Sequence, residues 1–265
     1  MQENKNITSF RVSDGNTVKL EYRNRLASTT TLAREYAKAG YPDRYAVFTE
    51  QQLSSHITTA HSVDGEFDNG LFISLILRPS VFPSQAGLIG PLSAVAFASA
   101  LEEHTDKKIS IGWISDLFCD SRRIGGCAVE GKLGNSTSYE YMIVTFAVKL
   151  NATNFPPRLT DMVRKVFEPD NASVAMIIAK TVLNKFFEVY RDLKTPEKHM
   201  DAYEKRFALT GCKIRYTTDG KKRRCTVLGI DKATCSLLIE TSEGIKDTLT
   251  SPFSVIIPNR LRPKN

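Results

Sequence analysis

The chain has 265 residues, 42% of them hydrophobic and 25% charged, and carries a net charge of +7. That composition is that of an ordinary globular protein, with length for one sizeable core and a smaller second one. No apolar run approaches the roughly 20 residues that span a bilayer, and the opening MQENKNITSF lacks the apolar stretch of a signal peptide.

The +7 is unevenly placed. From Gly211 onward, eleven Lys/Arg stand against five Asp/Glu, so +6 belongs to the C-terminal segment and about +1 to everything before it. Five cysteines (Cys119, Cys127, Cys212, Cys225, Cys235) form no CxxC pair and leave one over. They read as reduced thiols of a cytoplasmic protein, neither a disulfide framework nor a zinc site. The four histidines show no metal-ligand spacing, so no metal centre of protein side chains is expected.

In chain order, NTVKLEYRNRL alternates apolar and polar residues and predicts a strand. ASTTTLAREYAKAGYPDR predicts a helix. A Ser/Thr cluster caps it, Leu32, Ala33, Tyr36 and Ala37 share one face, and Gly40 with Pro42 stops it. RYAVFTE is a strand, and the polar stretch from Gln52 to Asp68 is a long loop. GLFISLILRP, almost continuously apolar, is a buried strand ended by proline. From Ser84 to His104 a helical apolar pattern runs on, and Pro91 predicts that it opens as a turn and becomes helix afterwards.

IGWISDLF, with the only tryptophan, reads as a strand that runs into a turn and out again. A glycine, Gly112, sits beside the tryptophan where a packing side chain would serve a strand better. Strands are predicted at 108–113, 124–130 and 140–150, with CDSRR marking a tight hairpin between the first two. Three helices follow: PPRLTDMVRKVF, NASVAMIIAKTVLNKFFEVYRDL and TPEKHMDAYEKRFAL. After Gly211 the period returns to two. CKIRYTT, RRCTVLGID, CSLLIET, IKDTLT and SVIIP predict five short strands of a small barrel. The domains expected are 1–209, an α/β unit, and 210–265, the barrel.

Laid end to end, these elements resemble the biotin protein ligases, which adenylate biotin and transfer it to a lysine of a carrier domain. The resemblance runs from about residue 17 to 258. The family's Ser-Thr-Asn at a helix start resembles Ser28-Thr29-Thr30. Its strand ending in Glu-x-Gln is similar to Thr49-Glu50-Gln51-Gln52, and its Asn-Leu-x-x-Ser strand to Gly70-Leu71-Phe72-Ile73-Ser74. Its Lys-Trp-Pro-Asn-Asp block looks like Gly112-Trp113-Ile114-Ser115-Asp116, and its Gly-Ile-Leu-x-Glu like Gly126-Cys127-Ala128-Val129-Glu130. Leu228-Gly229-Ile230-Asp231 and Ser236-Leu237-Leu238-Ile239-Glu240 resemble its C-terminal domain. The resemblance implies a mixed α+β fold like that of class II aminoacyl-tRNA synthetases and biotin ligases. A mixed sheet with flanking helices would be followed by a small Src-homology-3-like barrel.

The same alignment strips out the chemistry. Gly112 occupies the family's lysine position, which lies beside two reacting anions, and positioned charge is normally the largest catalytic contribution. The family's Gly-Arg-Gly-Arg-x-Gly loop falls on Ser54-Ser55-His56-Ile57-Thr58-Thr59, and its Gly-Ile-Asn on Ala147-Val148-Lys149. The ligand-binding candidates that remain are Ser28, Thr29, Thr30, Gln51, Trp113, Asp116, Arg123, Gly126 and Lys149. Each has a plainer alternative. Ser28 and Thr29 can simply cap a helix, and Trp113 with Asp116 can be core and turn. Arg123 can be hairpin charge, and His56 and His61 can be solvated. The expected function is thus a ligase-like protein acting by binding biotin, a related small molecule, a carrier or another protein. The alternative is a divergent ligase that still uses biotin and ATP with Mg²⁺. Kinship also implies a homodimer through the larger sheet, and nothing implies a membrane. A second alternative is a nucleic-acid-binding module led by the basic barrel, whose run Lys221-Lys222-Arg223-Arg224 could contact nucleic acid or an acidic protein face; the run has no interleaved aromatics, which counts against nucleic acid. The residues before the first predicted strand are too few for a helix-turn-helix, which counts against operator binding.

Overall fold

The computed structural model describes residues 5–53, 70–79, 83–134, 138–149 and 172–261. Its frame is an eight-stranded sheet in the order β1-β2-β4-β6-β10-β9-β8-β7. The strands are β1 (Lys5–Arg11), β2 (Thr17–Arg23), β4 (Tyr45–Thr49), β6 (Gly70–Leu77), β7 (Ile109–Gly112), β8 (Asp116–Cys119), β9 (Arg122–Leu133) and β10 (Tyr139–Lys149). β2 and β4 run parallel, and every other neighbouring pair is antiparallel. Two short strands, β3 (Arg25–Leu26) and β5 (Gln51–Gln52), pair separately.

One face of this sheet carries α1 (Thr29–Lys38). Ala33 and Ala37 of the helix pack on Tyr45, Val47, Ile76, Tyr141 and Ile143 of the strands. Gly40, at φ +84°, ends the helix as the sequence predicts, because a residue without Cβ takes the left-handed turn at no steric cost. Arg34 reaches from α1 to Glu130 on β9 in a two-pronged pair of 2.7 and 2.8 Å, which sets the helix over the sheet. The other face is covered by α2 (Pro83–Ala86), α3 (Ile89–Glu102), α4 (Ala172–Tyr190) and α5 (Glu197–Arg206).

The five tail strands form a second antiparallel sheet, β14-β13-β12-β11-β15. They are β11 (Lys213–Thr218), β12 (Lys221–Ile230), β13 (Leu237–Thr241), β14 (Lys246–Leu249) and β15 (Val255–Ile256). Asp219 and Gly220 turn β11 into β12 with φ of +50° and +71°, the handedness a two-residue hairpin needs. Ile214, Tyr216, Val227, Leu237 and Ile239 of this sheet join the same apolar cluster as Phe97, Leu117 and Phe146 of the large one.

Three readings change. β1 forms where no strand is predicted. IGWISDLF runs into a turn and out again as expected, as β7 and β8, so the CDSRR hairpin joins β8 to β9 and not 108–113 to 124–130. Pro91 lies inside α3 as its third residue. The first helical turn has no internal partner for its N–H groups, so a proline there forfeits nothing. PPRLTDMVRKVF lies outside the described residues, as does the loop from 54 to 69.

Candidate functional site

The N-terminus of α1 meets the sheet in a cluster of hydroxyls. Ser28 caps the helix, its Oγ accepting from Thr31 N at 3.2 Å. Thr29 is fully buried, and both its N–H (2.9 Å) and its hydroxyl (3.1 Å) donate to Gln52 Oε1. Ser74 Oγ on β6 donates to Thr29 Oγ1 at 2.9 Å and lies 2.9 Å from Thr145 Oγ1 on β10, where Thr30 Oγ1 also binds at 2.9 Å. Ser74 and Thr145 stand opposite each other in register, which is why one helix end reaches both. The glutamine that faces inward is therefore Gln52, 3% exposed, and not Gln51, which is exposed. Strand residues alternate between faces, so a slip of one position reverses the assignment.

Across the sheet, Gly112 ends β7 and pairs with Asp116, which begins β8. A Cβ added to Gly112 would lie 2.7 Å from Phe118 Cε2 and 3.3 Å from Asp116 Cβ. Phe118 is fully buried, so the space a side chain would need is already filled with ring. The turn itself is pinned from two sides. Trp113, 2% exposed, donates from Nε1 to the carbonyl of Cys235 at 2.6 Å, and the buried Tyr203 hydroxyl donates to Ile114 O at 2.8 Å. Gly126 on β9 faces the same turn, where a Cβ would sit 2.6 Å from Ser115 O. Close backbone approach accounts for that glycine.

Arg123 turns inward. Its Nη2 lies 3.0 Å from Asp116 Oδ2 and donates to Ile257 O at 2.9 Å, and its side chain is 8% exposed. The ion pair is close but misaligned, so Asp116 Oδ2 accepts no hydrogen bond. Burial pushes the Asp116 carboxyl up to about 6, against the opposing pull of Arg123. A second buried acid went unremarked in the sequence. Glu50, at the end of β4, is 7% exposed, its Oε1 has no partner, and burial raises its carboxyl to about 7. The signal for it lay in the motif itself, since Glu50 is two residues before Gln52. Ser74 too stood in a quoted motif, as its closing serine, whereas Thr145 had no such signal.

Glu50 gives a pH prediction. Its folded pKa of about 7 exceeds the ordinary 4.5. The folded state therefore keeps a proton that the unfolded chain releases, and stability falls as pH rises through that window. Glu50→Gln is expected to gain up to about 3 kcal/mol over the parent at about pH 8. Urea midpoints measured against pH should be flatter for the variant, and an identical pH slope contradicts this account.

Ser28, Thr29 and Thr30 thus gather with Gln52, and Trp113, Asp116, Arg123 and Gly126 gather around the β7–β8 turn. Gln51 joins neither group. Lys149 closes β10 opposite Gly70, and its side chain lies outside the described residues, as do His56 and His61. Among the described residues no three of His, Cys, Asp and Glu cluster as metal ligands.

No family model matches the chain. It is 26% identical over 234 residues to the bifunctional ligase/repressor BirA of Bacillus subtilis (strain 168), covering 86% of this chain and 71% of that protein. The relatives it matches in sequence, and the solved structures that share its fold, are biotin protein ligases. BirA of Bacillus spizizenii is 25% identical over the same length. Solved structures share the fold. Biotin protein ligase from Aquifex aeolicus in complex with biotin and ATP superposes with a TM-score of 0.64 at 17% identity, over 92% of this chain and 99% of that one. A biotin protein ligase-like protein of unknown function from Silicibacter superposes with a TM-score of 0.59 at 15% identity, over 92% and 97%. Among the described residues, no helix is long and apolar enough to cross a membrane.

Proposed function

We propose that this chain is a member of the biotin protein ligase family that acts by binding and does not adenylate biotin at a ligase's rate. One observation carries the reading. Where the resemblance puts a lysine, the chain has Gly112, and the ring of Phe118 fills the direction its side chain would take. The guanidinium nearest that turn, Arg123, is occupied by Asp116 and the Ile257 carbonyl. Joining a carboxylate to a phosphoryl group concentrates negative charge, and each missing positioned contact typically costs about 3–4 kcal/mol in the transition state. Such losses need not add, because the residues act as a unit. Adenylation also uses Mg²⁺. The amide position implied for it is Lys149, a cation that cannot ligate one, so the residues present do not fit the ion.

What remains is a frame with a hydroxyl cluster at the start of α1, and we read that frame as one for binding biotin, a related acid or a protein. The relatives' names favour a second reading, a divergent ligase that draws its cations from elsewhere in the chain. Incubating the full chain with ATP, Mg²⁺ and biotin separates the two. No biotinyl-adenylate is expected by mass spectrometry, and steady turnover or labelling of a carrier domain overturns the proposal. A thermal-shift panel of biotin, lipoate, octanoate and ATP identifies the ligand, since whatever binds the native state raises its melting temperature.

A further inference from the structure

The tail sheet buries one face and presents the other, and five of the six charged residues on the presented face are cations. On β11, Lys213, Arg215 and Thr217 alternate with the buried Ile214 and Tyr216. Register sets Arg215 against Arg224, Thr217 against Lys222 and Lys213 against Thr226. The row through Thr226 continues to Glu240 on β13 and Lys246 on β14. Lys213, Arg215, Lys222, Arg224 and Lys246 therefore share a face with one carboxylate, and among the described residues none of the five forms an ion pair. Two arginines placed directly opposite each other repel. The arrangement stores a preference for an external anion.

Apolar groups flank the charge. Ile256 on β15 pairs with Arg215 and is 39% exposed. Phe253, 71% exposed, stands on a short 3-10 helix (Pro252–Ser254) that packs against β11. The run 221–224 has no aromatic of its own, and the fold places Phe253 at the neighbouring strand β11. We propose that this face binds single-stranded nucleic acid. Same-face residues recur about every 7 Å along a strand, which gives a regular ladder of cations for a phosphate backbone, and Phe253 offers a surface on which a base can stack. A folded acidic protein would bring scattered carboxylates and would not need the exposed ring. This inference is independent of the ligase-like reading above.

The test is fluorescence anisotropy of the full chain with labelled oligothymidylate and oligouridylate of about 20 nucleotides, longer than the site of a small barrel, across a salt series. Binding is expected to weaken with salt, with a log–log slope of about −0.7 per phosphate contacted. Arg215→Glu with Arg224→Glu should lower affinity at least about tenfold and flatten the slope. Phe253→Ala should lower affinity about tenfold and leave the slope unchanged. Lys213→Glu with Lys222→Glu, also on exposed positions, provides a second charge variant should the first fail to fold. Absence of binding at low salt overturns the proposal, as does unchanged binding by the variants. Polyglutamate competing as well as the oligonucleotides also overturns it and assigns the face to an acidic protein.

Discussion

Gly112→Lys is expected to leave the protein without adenylating activity and to lower its melting temperature. Restoring the family's residue type does not restore its charge to a usable place. A Cβ at 112 meets Phe118 Cε2 at 2.7 Å, and that ring is buried with no solvent side to swing into. Overpacking of this kind costs about 1–3 kcal/mol, and the ammonium group would be forced either to bury or to distort the β7–β8 turn. Adding Phe118→Leu should relieve the contact and recover part of the stability, still without biotinyl-adenylate. Differential scanning fluorimetry and mass spectrometry read the two quantities separately. Turnover from the single substitution would mean that the frame lacks only a charge, and the binding reading would then fail.

The second large effect is expected at Arg123. Arg123→Met keeps the bulk of the side chain and strips the cation from the buried Asp116. Leaving one member of a buried pair uncompensated costs about 3–5 kcal/mol. Asp116→Asn should cost less, because Arg123 keeps the Ile257 carbonyl and the amide carries no charge. The pH dependence gives the sign. The Asp116 carboxyl in the folded protein sits at about 6, above its ordinary 3.8. The stability its burial permits is complete below 3.8 and is lost as pH rises through about 6. The Arg123→Met penalty should therefore be largest above that value and shrink as acid neutralises the carboxyl. Chemical denaturation on either side of it decides the matter. Equal losses at both would show that Asp116 and Arg123 do not act as a pair.

Much of this frame can be read from the chain. α1 announces its start with Ser28 and its end with Gly40, and both act locally, through an N-cap hydrogen bond and a left-handed φ. β6 and the tail strands follow from their apolar periodicity. What escaped notice depends on distant partners. KNITSFR becomes β1 only because β2 offers it an edge, and its own alternation is weak. Gln51 and Gln52 differ by one step of a two-residue repeat, and only the buried Thr29 shows which one points inward. Arg123 read as a ligand-binding candidate or as hairpin charge. Its carbonyl partner at Ile257 lies 134 residues away, a pairing no local pattern encodes. That a glycine stands at 112 was legible, and the ring packed against it was not.

The hydrogen bond between Trp113 and Cys235 fastens the cationic tail to the very bend that holds Gly112. Trp113 is buried, so this bond holds the loop before β13 against the β7–β8 turn, and Trp113→Phe would remove the donor and leave the Cys235 carbonyl to find another partner.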